Sequence, residues 1–119
     1  MFARKVCVQL KTNTLAEFGR LMDDAVVPWL ETQEGFLGLV TLAAPDNREV
    51  QVLSFWDHAQ NAQVYSADGY PTVLTILGAL IDEGPSVKIF DVIGSGVDLS
   101  LRMPERAEIQ PENTLARGA

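Results

Sequence analysis

Apolar and polar residues alternate through residues 2–10 and predict a β-strand. Phe2, Val6, Val8 and Leu10 fall on one face, with Ala3, Lys5, Cys7 and Gln9 on the other. The period then lengthens to that of a helix. Thr14 is placed to cap it and Glu17 to complete a capping box. Leu15, Phe18, Met22, Ala25, Val26 and Trp29 form its apolar stripe. Pro28 lies inside that stripe and predicts a kink or loosening over residues 24–27. Gly35 suits the position just past the helix end. Two further strands are expected over residues 36–42 and 49–56, joined through the turn cluster Ala44-Pro45-Asp46-Asn47. Asp57 is expected to cap a second helix with Gln60 as its capping-box partner. This helix is expected to break at Asp68-Gly69-Tyr70-Pro71 and to resume, apolar nearly all round, over residues 72–81. Gly84-Pro85 is expected to end it, before a fourth strand over residues 86–93.

The order β-α-β-β-α-β predicts an α+β, ferredoxin-like arrangement, a four-stranded antiparallel sheet with two helices on one face. Leu37 and Leu39 are expected opposite Phe36 and Val40, Leu53 and Phe55 opposite Val50 and Val52, and Phe90 and Val92 opposite Val87 and Ile89. Three strands are then apolar on both faces, while the helices cover one. A second copy of the chain is the simplest cover for the other, so a homodimer is expected, with Leu39 at its interface.

The chain has 119 residues, which fits one domain, taken here as residues 1–94, with an extension over 95–119. In that extension Val97, Leu99 and Leu101 alternate with polar neighbours and suggest a short fifth strand. A polar tail follows from Pro104. A hydrophobic share of 47% excludes a wholly disordered chain. The net charge of −7 argues against nucleic acid or an anionic membrane as partner. The single cysteine forms no internal disulfide, and the first residues lack the pattern of a secretory signal, so a cytoplasmic location is expected.

Several local patterns coincide with this order. Pro28-Trp29-Leu30, followed by Glu34-Gly35-Phe36-Leu37-Gly38, resembles a run found in the dimeric α/β-barrel superfamily, in its antibiotic-biosynthesis-monooxygenase-like branch. Ser54-Phe55-Trp56-Asp57 is similar to the end of the third strand in those domains. The resemblance spans residues 2–93 and rests on structural motifs. It implies a dimeric α/β barrel, and activities that range from cofactor-free oxygenation of phenols and quinols through haem degradation to isomerisation and cyclisation. Haem-degrading relatives use an Asn on the first strand and a Trp and a His on the second helix. Those helix positions fall here at Tyr65 and near Thr75, and the first strand has no Asn. A haem-degrading role is therefore not expected, and no cofactor is.

The candidate chemistry concentrates between residues 57 and 71. His58 is the single histidine; it is either a base at a pocket rim or an ordinary polar residue of a first helical turn. Tyr65 and Tyr70 flank the expected break, as phenols that orient a polar aromatic substrate or as half-buried amphipathic rings. Trp29, Phe55 and Trp56 are core or pocket wall, and Asn61 stands one turn from Asp57 and Tyr65. One His and one Cys cannot make a zinc set, and no phosphate-binding glycine loop occurs. The expectation is a cofactor-independent monooxygenase acting on a small or polycyclic phenol or quinol, with catalytic His58, Tyr65 and Tyr70 and a substrate wall of Trp29, Phe55, Trp56 and Asn61. The alternatives are a ligand-binding protein of the same fold without turnover, or an isomerase or cyclase.

Overall fold

Strand β1 (Phe2–Leu10) is the centre of the structure, because it pairs on both edges. The computed structural model describes residues 1–96; the expected fifth strand and polar tail lie outside the described residues. β2 (Phe36–Ala43), β3 (Glu49–Trp56) and β4 (Ile81–Asp91) complete one antiparallel sheet in the order β2-β3-β1-β4. The fold is the ferredoxin-like one expected. No helix among the described residues is long and apolar enough to cross a membrane.

The alternation in β1 sends Arg4, Val6, Val8 and Leu10 toward the helices. Register carries the choice to Ser54, Val52 and Val50 on β3. Leu10, Phe18, Val26, Leu30, Val50 and Trp56 are the largest fully buried side chains and fill the layer between sheet and helices.

Both helical segments contain a wide turn in the same relation to a proline. The first runs as α1 (Leu15–Leu21), a π turn (Met22–Val26) and α2 (Val27–Leu30). The second runs as α3 (Ala59–Val64), a π turn (Tyr65–Gly69) and α4 (Tyr70–Leu77). Pro28 and Pro71 have no N–H for the carbonyl four residues back, and their rings crowd it. The ladder widens instead of breaking: the Val27 N–H donates to the Met22 carbonyl and the Tyr70 N–H to the Tyr65 carbonyl, each five residues back. The loosening expected before Pro28 is thus a π turn, and the expected break at residues 68–71 is a continuous helix with a π turn.

The caps also differ from expectation. The Thr14 hydroxyl donates to the Lys11 carbonyl, and Glu17 binds Arg20. Asp57 lies one residue before the N-cap, a position that His58 takes, and its carboxylate accepts from the Asn61 side chain at 2.8 Å. β4 starts five residues earlier than expected, at Ile81, so Gly84-Pro85 lies within the strand. A φ of +102° at Gly84 lets the strand pass the Cys7 carbonyl, which a Cβ would approach to 2.9 Å. The β1–β4 register is irregular between Cys7 and Gln9 at this point.

A further correction concerns which way the residues of β2 face. Its register with β3 shifts between Phe36 and Gly38, leaving Leu37 as the extra residue. Phe36 and Leu39 therefore share the helix side, across from Trp56 and Ser54, and Leu39 is not on the open face as expected. That face carries Val40, across from Leu53, and Gly38, across from Phe55. Phe90 joins them from β4, across from Ala3.

Gly35 turns the first helix into β2 with φ of +84°, and a Cβ there would lie 2.4 Å from Asp57 Oδ1. Gly35→Ala is expected to destabilise the protein by about 1–3 kcal/mol. Urea unfolding followed by far-ultraviolet circular dichroism measures the loss; an unchanged midpoint contradicts it.

Candidate functional site

Strand parity brings a charge into the core. Arg4 is only 3% exposed, although every other helix-facing residue of β1 from Val6 to Leu10 is aliphatic. Its Nε donates to Ser66 Oγ at 2.7 Å. The guanidinium carbon stands 3.9 Å from the centre of the Tyr70 ring and 5.2 Å from that of Tyr65. Among the described residues no carboxylate pairs with it. Burial holds its pKa below the usual arginine value, opposed by the two tyrosines, and an arginine so placed stays cationic. An unpaired buried ion costs several kcal/mol even after relaxation. Each cation–π contact returns about 0.5–2 kcal/mol.

The tyrosines owe their positions to the second π turn, which spans Tyr65 to Gly69 and hands on to Tyr70. Tyr65 is buried and stacks on Trp56, with ring centres 4.9 Å apart. The Trp56 indole N–H donates to Ser54 Oγ at 2.9 Å, and Phe36 meets the indole edge-on. Burial pushes the Tyr65 phenol up to about 12, against a partial pull back from Arg4. Burial raises Tyr70 too, again opposed by Arg4. Both hydroxyls therefore keep their protons at neutral pH and can donate.

These groups border a cavity of about 40 Å³ between sheet and helices. Val6, Val8, Leu39 and Val52 line it from the sheet, and Met22, Val26, Val73 and Leu77 from the helices. Arg4, Ser54, Tyr65 and Tyr70 supply its polar atoms. The volume holds roughly two or three waters, so an aromatic ligand requires the walls to part. The two helical segments are linked beside Tyr70, where the Trp29 indole N–H donates to the Gly69 carbonyl at 3.1 Å. Gly69 permits this approach: a Cβ would fall 2.7 Å from both Gln33 Oε1 and the Tyr65 ring.

The structure thus brings Tyr65 and Tyr70 together at the cavity, with Trp56 behind Tyr65 and Trp29 bridging the helices. The other candidates lie elsewhere. Phe55 points from the opposite face of the sheet. His58 is exposed at the start of α3, and Asn61 is held by Asp57; neither lines the cavity. Thr75 is exposed and donates to the Pro71 carbonyl. Arg4 is the residue that the sequence analysis missed. Its signal was present: a cation in the one gap of the apolar stripe Phe2, Val6, Val8, Leu10.

Solved structures of antibiotic-biosynthesis-monooxygenase-like domains, the class that the sequence patterns resemble, share this fold. A monooxygenase from the gene ActVA-Orf6 of Streptomyces coelicolor, solved with nanaomycin D, superposes with a TM-score of 0.68 at 22% identity, over 82% of this chain and 91% of that one. SnoaB, a cofactor-independent oxygenase from Streptomyces nogalater, gives a TM-score of 0.66 at 16% identity, over 82% of this chain and 97% of that one. A point mutant of MhuD, solved with two manganese protoporphyrin IX molecules per active site, gives 0.65 at 16% identity, over 82% and 100%. No family model and no curated protein sequence matches the chain.

The Tyr65 shift has a consequence for stability. Its folded pKa of about 12 exceeds the ordinary 10.0, so the neutral phenol is the form that folding favours. The contribution is complete below pH 10 and is lost as pH rises toward 12. Tyr65→Phe is expected to flatten this alkaline loss, read as a smaller change in urea midpoint across that range than in the wild type.

Proposed function

We propose that the protein is a cofactor-independent oxygenase for a small aromatic phenol or quinol and that it works as a homodimer. The observation that carries the reading is the cavity itself: apolar walls for a ring, and a guanidinium beside two protonated phenols for an oxygen of that ring. The ActVA-Orf6 monooxygenase and SnoaB support it as neighbours in fold.

The chemistry asks little of the protein. A phenol that reacts through its keto tautomer presents a ring CH₂. Loss of one proton gives an anion delocalised onto oxygen. That anion passes an electron to O₂, and the two radicals join as a peroxide anion, which takes back the proton lost at the start and then, as the hydroperoxide, expels water to leave a carbonyl. The sum is phenol plus O₂ to quinone plus water, with every electron drawn from the substrate. Tyr65 and Tyr70 donate hydrogen bonds to the developing oxyanion, the aliphatic wall excludes water, and Arg4 supplies positive potential. Haem chemistry is disfavoured by the lining, which among the described residues offers no imidazole, thiolate or carboxylate.

Oxygen uptake with a panel of anthrones and naphthalenediols, each product identified by mass, tests this function. Tyr70→Phe is expected to cost about 1–3 kcal/mol of transition-state stabilisation. His58→Ala is expected to leave kcat unchanged, because the imidazole is exposed and outside the cavity wall. A large drop in kcat with intact folding makes His58 the base after all. The second reading is a ligand-binding protein without turnover. It is favoured by one observation: among the described residues no imidazole or carboxylate lines the cavity to act as a general base, and burial raises the Tyr65 and Tyr70 phenols. Binding of the same panel without oxygen uptake or product selects it.

The homodimer reading rests on the open sheet face, where Val40, Leu53, Phe55 and Phe90 lie together with no helix above them among the described residues. Phe90 is 39% exposed in the single chain. Val40→Asp is expected to turn a dimer into a monomer in sedimentation equilibrium at micromolar concentration, since a buried lone carboxylate is costly. A wild-type monomer under the same conditions overturns the reading.

A further inference from the structure

Arg4 is more buried than any stabilising account of it requires. Its Nε has Ser66, its faces have the Tyr70 and Tyr65 rings, and the Tyr70 hydroxyl adds an oxygen nearby. None of these is an anion. Ser54, its partner across β3, has its hydroxyl committed to the Trp56 indole and the Arg4 carbonyl. Ile89, its partner across β4, is apolar. The titratable groups that face the guanidinium are thus Tyr65 and Tyr70, and among the described residues no carboxylate does so from any element packed against it. Yet the cation borders a cavity rather than solid core, with its charge uncancelled there. A purely structural arginine would be paired or would reach solvent.

We propose that Arg4 is the receptor for a negative charge on the ligand, so that the cavity takes an aromatic oxyanion, a phenolate or a carboxylate, in preference to the neutral molecule. This deepens the oxygenase reading, on which it rests for the aromatic body of the ligand. It adds that the anion is selected at binding, before any reaction with O₂. The planar guanidinium suits an oxyanion because its terminal N–H groups lie in one plane and two of them run parallel, giving charge-assisted hydrogen bonds that a neutral hydroxyl or amide does not receive with equal strength. The tyrosine rings hold that plane and remain neutral, so they do not compete for the charge.

Two pairs of measurements on the intact protein test this. Naphthoate and its neutral isostere naphthamide are titrated by calorimetry, and para-nitrophenol is titrated with pH in the presence and absence of protein, its yellow phenolate being the readout. One or both anions are expected to be preferred: naphthoate over naphthamide by about tenfold or more, and bound para-nitrophenol ionising about one to three pH units lower than free. Preference for naphthoate alone identifies a carboxylate ligand, and the nitrophenol shift alone a phenolate. Arg4→Met is expected to abolish the preference by weakening naphthoate binding much more than naphthamide binding, whereas Arg4→Lys keeps part of it. Equal binding of acid and amide with an unshifted nitrophenol, no binding of any probe, or an undiminished preference in Arg4→Met overturns the proposal. Should Arg4→Met not fold, the wild-type titrations and Arg4→Lys decide. Anion selection without oxygen uptake from any quinol leaves this proposal standing and removes the oxygenase reading. Oxygen uptake undiminished in Arg4→Met does the reverse.

Discussion

The two-residue alternation of the central strand is the constraint on which the rest of the molecule depends. β1 is paired on both edges, so its residues have only two directions, toward the helices or toward the open face. Val6, Val8 and Leu10 must face the helices to close the core, and that choice leaves Arg4 no alternative. A one-residue slip that freed Arg4 would put three core aliphatics on the other face. The hydrophobic stabilisation of the whole layer thus holds one unfavourable charge in place.

The helices accommodate that charge through their shared irregularity. Each proline widens the ladder just ahead of it, and the wide turns fall where the cavity is lined: Met22 and Val26 from one, Tyr65 from the other. In the second segment the wide turn spans Tyr65 to Gly69, and Tyr70 follows it. The two tyrosines reach the guanidinium from there, and Ser66 sits between them to accept from its Nε. The Gly69 carbonyl, at the end of the same turn, takes the Trp29 indole and ties the helices together. The sequence features that look like helix-breaking defects are those that shape the cavity.

Burial then decides the chemistry of the side chains. A phenol near 10 in water becomes one near 12 beside Trp56, and so a donor rather than a base. The single histidine is exposed at a helix start and lies outside the cavity wall. Among the described residues that line the cavity there is no imidazole or carboxylate to accept a proton.

The order of elements, β1 to the residue, the hairpin and the irregular turn between Tyr65 and Tyr70 were legible in the pattern of residues, because period and turn chemistry are local properties. The faces of β2 were not, because a single extra residue at Leu37 reverses every later side chain and the bulge is visible only in the pairing with β3. The start of β4 was hidden for a similar reason: Gly84-Pro85 reads as a terminator, and only the passage beside Cys7 makes it strand. Asp57 looked like a cap because the residue type fits, but Asn61 competes for its carboxylate. His58 looked chemical by residue type alone, and what it faces is a tertiary property. Arg4 stood in plain view as a cation within an apolar stripe, but only packing shows that it has no carboxylate partner among the described residues. Local sequence determined which elements form; the pairing of strands and the meeting of the two π turns decided which side chains share a cavity.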